Sequence, residues 1–118
     1  MADNRHEELE KRMLQFAVGV IKNLQKYPTL SQSVANQLTR SATSIGANYA
    51  EACNAASRAD FKNKIYISKK EAAESRYWID LCIELTDKES WQELRQEAHE
   101  LLVILQSVVN TMNGSSAK

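Results

Sequence analysis

Apolar residues recur at helical spacing along almost the whole chain. Leu9, Met13, Phe16, Val20 and Leu24 alternate steps of four and three, which predicts an amphipathic helix over 5–26. Tyr27-Pro28-Thr29 ends it, because proline disfavours helical backbone in the residue before it. A second seam runs Val34, Leu38, Ser41, Ile45, Asn48, Ala52, Ala55 and predicts a helix over 31–55. Most of its members are small or polar, so a neighbouring helix can approach closely. Ser57, followed three residues later by Asp60, has the form of an N-cap with an acid in the first turn. It opens a third helix over 58–85 with the seam Phe61, Ile65, Ser68, Ala72, Ser75, Ile79, Cys82. Ser90-Trp91-Gln92-Glu93 has the form of a capping box and opens a fourth helix over 91–112. Residues 113–118 read as a helix stop and a frayed end.

The connections read as two to five residues, so consecutive helices should be antiparallel neighbours. The expectation is one all-α domain over 1–118, an antiparallel up-and-down four-helix bundle. Three glycines and one proline in 118 residues agree with long uninterrupted helices. The apolar run from Met13 to Ile21 is too short to span a bilayer and is preceded by acids, unlike a signal peptide.

Helices two and three also carry a polar ladder. Arg40, Ser44, Asn48 and Glu51 share one side of helix two, and Lys70, Glu71 and Glu74 lie on helix three. A hairpin centred near Arg58–Ala59 sets Arg40 against Glu74 and Tyr77, Asn48 against Ser68, Lys69 and Ala72, and Glu51 against Tyr66 and Lys70. Such pairs can fix register between two helices, or they can hold a phosphate or other polar partner. Glu71 and Glu74 have the spacing of a metal-binding pair but no histidine in place, and a ferritin-like site requires one.

Composition narrows the function classes. Fifteen basic and fifteen acidic residues give zero formal net charge, which argues against strong non-specific nucleic-acid binding and leaves self-association unopposed. Lys62, Lys64, Lys69 and Arg76 nevertheless make helix three locally basic and are candidate RNA or DNA contacts. Tyr77, Trp78 and Trp91 are candidate interface aromatics, and helix four is apolar around more than half its girth. Cys53 and Cys82 lack metal-ligand spacing and read as free thiols of a reducing cytoplasm. Gly46 stands alone within a helix, as at a close helix contact. No activated nucleophile, metal set or phosphate loop is visible, so no enzyme activity, cofactor or small-molecule substrate is expected.

The run Gln37-x-x-Arg40-x-x-x-Ser44-Ile45-x-x-Asn48-x-x-Glu51, with Asp60-Phe61, Lys64 and Lys70-Glu71-Ala72-x-Glu74-Ser75-x-Tyr77-Trp78, resembles the signature of the 23S rRNA intervening-sequence proteins. The resemblance covers helices two and three, somewhat under half the chain. It implies a bundle that assembles into a homopentameric ring, with no established catalytic activity. The accessory proteins of diversity-generating retroelements are similar. They are strongly basic and work with nucleic acid, whereas this chain is neutral.

Overall fold

A computed structural model describes residues 4–114. It contains helices α1 (Arg5–Leu24), α2 (Gln32–Cys53), α3 (Arg58–Leu85) and α4 (Gln92–Met112). Each packs against its neighbours in chain order and α4 returns to α1, which makes an up-and-down bundle. The longest dimension, 45 Å, matches α3 laid end to end at about 1.5 Å per residue. Residues 115–118 of the expected frayed end lie outside the described residues. Asn113 ends α4, and Gly114 turns the chain with φ +73°.

The core runs down the centre from Met13, Phe16 and Val20 through Leu38, Ile45, Ile65 and Ile79 to Leu101 and Leu105. The α2/α3 contact is the most extensive, followed by α3/α4 and α1/α2, and α1/α4 is the slightest. The order follows side-chain size. Ser41, Ala42, Ser68, Ala72 and Ser75 are all fully buried between α2 and α3, and small side chains let two backbones draw together. Gly46 serves the α1/α2 approach, since a Cβ there would lie 3.3 Å from Met13 Cβ.

Of the two expected caps, the one at Ser57 forms, and Ser31 supplies a further one to α2. Ser57 Oγ accepts from Asp60 N at 3.0 Å, and Ser31 Oγ accepts from Val34 N at 3.4 Å. The expected box at Ser90 does not. The cap position of α4 is Trp91, without a side-chain hydrogen bond. Ser90 N donates to Asp87 Oδ1, while Ser90 Oγ bonds the Tyr27 hydroxyl at 2.5 Å and lies 3.4 Å from Asn23 Nδ2. The hydroxyl that would have capped α4 is held by the end of α1.

Trp91 requires the same kind of correction. It is 0% exposed, so it is a core residue and not a surface for a partner. Its indole stacks at 22° on Tyr27, and Nε1 donates to Thr86 Oγ1 at 3.1 Å. The connections at 25–31 and 86–91 are longer than expected because they fold these two aromatics under the bundle end.

Close α2/α3 packing makes a sharp prediction about size. Ser75→Leu, which adds volume where no room exists, should lose about 3 kcal/mol in urea unfolding. Ser75→Ala should stay within about 1 kcal/mol, because Ser41 Oγ keeps its own donation to Leu38 O.

Candidate functional site

The polar ladder is centred on Arg40. From the exposed edge of α2 its guanidinium reaches across to two carboxylates one turn apart on α3. NH1 donates to Glu71 Oε2 at 3.2 Å and NH2 to Glu74 Oε2 at 2.5 Å. Glu74 also accepts from the Trp78 indole Nε1 at 3.0 Å. The hydrogen bonds from Trp78 and Arg40 hold the Glu74 carboxyl below its ordinary value, and both carboxylates keep Arg40 firmly protonated. Glu71 is 8% exposed, and its Oε1 finds no donor among the described residues. Arg40 is thus the cation on which a buried carboxylate depends.

Beneath this network lie two buried hydroxyl contacts. Ser75 Oγ donates to Ser41 Oγ at 2.9 Å, and Ser68 Oγ donates to the Ile45 carbonyl at 2.8 Å. At the turn end Lys64 Nζ meets Glu51 Oε1 at 2.8 Å. Four of the expected ladder residues, Arg40, Glu71, Glu74 and Glu51, therefore make cross-helix ion pairs. Ser44 and Asn48 do not join them. Ser44 Oγ donates to the Arg40 carbonyl and Asn48 Nδ2 to the Ser44 carbonyl, both within α2. Lys70 is exposed and makes no ion pair among the described residues, though its charge helps keep Glu74 ionised.

The expected partner of Glu51 was one turn off. The observed cross-helix pairs centre near Ser57, slightly before Arg58–Ala59. That shift moves Glu51 from Tyr66 and Lys70 to Lys64, and Arg40 from Tyr77 to Glu71. The Ser57 cap starts α3 at Arg58 as expected, so the difference lies in how the two arms align across the turn.

This charge pattern opposes phosphate binding at the ladder. One guanidinium faces two carboxylates, and its donors are already engaged. The basic residues of α3 also do not form one patch. Lys62, Lys69 and Arg76 recur every seven residues on one side, where Lys69 Nζ lies 6.0 Å from the Tyr66 ring and Arg76 bonds His99 Nδ1 at 2.8 Å. Lys64 faces the other way, toward Glu51.

Sequence reasoning missed the polar links that hold α4. Arg95 pairs with Asp80 in a fork, and Arg12 bonds Glu97 twice, at 2.6 and 2.9 Å, and also Glu100. A signal existed for α3/α4. Asp80–Arg95 and Arg76–His99 are each equidistant from the turn between Asp87 and Lys88.

Of the interface candidates, Trp78 is half-buried and tied to Glu74, and Tyr77 is 59% exposed, edge-on to Trp78 at 5.0 Å. A shallow groove of about 590 Å³ runs between α1 and α2 over Leu14, Ala17, Gly46, Ala47 and Ala50. Leu14 stands 64% exposed on its wall.

Arg40→Ala should cost about 2 kcal/mol in urea unfolding, less than the usual cost of stranding a fully buried charge, because Arg40 itself is half in solvent. Adding Glu71→Gln should recover part of that loss. The Glu74 contribution has a defined pH window. Its folded value lies below the ordinary 4.5, so the stabilisation is present above about 4.5 and fades as pH falls through the folded value. The stability difference between wild type and Glu74→Gln should therefore be full above about pH 4.5 and shrink as the pH is lowered further.

The 23S rRNA-intervening sequence protein model matches residues 5–107. A crystal structure of a protein of unknown function from the S23 ribosomal protein family of Bacteroides thetaiotaomicron superposes with TM-score 0.78 at 37% identity, covering 86% of this chain and 97% of that one. No curated protein matches the chain. The family match runs from the start of α1 deep into α4, and five charged residues of the α2/α3 signature, Arg40, Glu51, Lys64, Glu71 and Glu74, meet across the hairpin. On both grounds this chain belongs to the 23S rRNA-intervening sequence protein family.

Proposed function

We propose that this protein is a non-enzymatic assembly module whose working form is a homo-oligomer, a closed pentameric ring as the family resemblance implies. The observation that carries the reading is the apolar surface left outside a complete core. Leu14 and Val18 of α1, Tyr77 of α3 and Val103 of α4 are all exposed although the bundle interior is already filled. Zero net charge removes the repulsion that would keep copies apart. Cys53 and Cys82 are both free thiols, in keeping with a reducing cytoplasm, and burial pushes the Cys82 thiol up to about 11. No described helix is long and apolar enough to cross a membrane.

Contact with RNA or DNA stands second. The line Lys62–Lys69–Arg76 favours it, because a ring would repeat that line and add weak contacts together. Filter binding at low and high salt separates the two readings, since phosphate contact must weaken as salt rises.

Light scattering coupled to size exclusion tests the assembly. The expected mass is five times that of one chain at micromolar concentration, and a clean monomer there would overturn the proposal.

A further inference from the structure

Of the exposed large apolar residues, Leu14, Tyr66 and Tyr77 lie on two unlike surfaces. The first is the α1/α2 groove, a concave strip floored by Gly46, Ala47 and Ala50 and walled by Leu14. Its edge carries Glu7 and Glu10, with Lys11 the cation among its lining residues. The second is the outward face of α3. Tyr66, Lys70, Ala73 and Tyr77 recur at steps of four, three and four, so they stand in one row along the helix. Both tyrosines are exposed, and Lys69 leans over the Tyr66 ring beside the row.

These surfaces complement one another in shape and charge. Small residues leave a trough, and large aromatics stand as a ridge. Residues 43–50 of the trough span about 10 Å and Tyr66–Tyr77 about 16 Å, at about 1.5 Å per residue, so the ridge covers the whole trough. The trough edge carries Glu7 and Glu10, and the ridge carries Lys69 and Lys70 at its Tyr66 end, while Glu74 and Asp80 beside Tyr77 are already paired with Arg40 and Arg95. Tyrosine also suits an interface, because its ring buries apolar area while its hydroxyl stays satisfied at the wet edge. Neither surface complements itself. Two troughs would face acid to acid, and two ridges would face lysine to lysine.

We infer that the α1/α2 trough of one copy receives the Tyr66–Tyr77 ridge of a second copy of this chain, a head-to-tail joint. This rests on the self-association proposed above and names its two halves. A head-to-tail joint uses different patches on each subunit, so every copy offers one free trough and one free ridge until a ring closes.

The test exploits that asymmetry. Ala47→Arg blocks the trough and Tyr77→Arg charges the ridge. Both positions face solvent, so both variants should keep the helical far-ultraviolet signal of the wild type. Should either unfold, Ala50→Arg or Tyr66→Arg takes its place. Each variant alone should be a monomer by light scattering where the wild type is an oligomer. An equimolar mixture should regain one intact joint and run at twice the monomer mass, and no further. Variants that keep the wild-type mass overturn the assignment, and so does a mixture that stays monomeric. A monomeric wild type is a different result, because it removes the self-association reading itself.

Discussion

The close approach of α2 and α3 is the constraint on which the rest of the bundle depends. It exists because the facing positions carry Ser41, Ala42, Ser68, Ala72 and Ser75, side chains too small to hold two backbones apart. Small residues bury little apolar area, so the contact cannot rely on the hydrophobic effect in the way the Leu101 and Leu105 layers do. What it gains is proximity. Each serine hydroxyl at the seam finds an acceptor at hydrogen-bond distance, which avoids the cost of a buried unpaired hydroxyl. Arg40 and Lys64 then close the edge of the seam onto Glu71, Glu74 and Glu51.

That geometry also decides what the polar residues can do. An arginine between two carboxylates is spent on holding register, and a buried carboxylate with a single cationic partner punishes any slip of one helix along the other. The remaining helices are attached differently. α4 is held to α3 by Asp80–Arg95 and Arg76–His99, and to α1 mainly by Arg12 and by the Asn23, Tyr27 and Ser90 contacts at the bundle end. The seams that involve α1 are the looser ones. The α1/α2 trough with Leu14 on its wall is one consequence of an interior already filled from the other helices.

Helix number, order and extent could be read from the chain alone, to within two residues at every end. Periodicity, one proline and the Ser57 cap are local signals, and nothing in the tertiary structure contradicts them. The small-residue seam, the Gly46 contact and the pairing of Arg40 with Glu74 were legible for the same reason, since helical spacing fixes which residues share a face. The Ser90 cap and an interface role for Trp91 are where local pattern fails, because a hydroxyl and an indole have several possible partners. The winners, Tyr27, Asn23 and Thr86, were set by where α1 ends relative to α4.

By itself, then, the sequence determined the fold class and the faces that meet across the α2/α3 hairpin, because both follow from spacing within one helix or about one short turn, and its signature residues marked the family by resemblance. Only the tertiary structure decided the exact register, which brought Lys64 to Glu51, and the assignment of Trp91 to the core. It also decided which apolar residues remain outside. Those outcomes depend on distances between helices, and a difference of one residue at a turn shifts a side chain by about 100° around its helix.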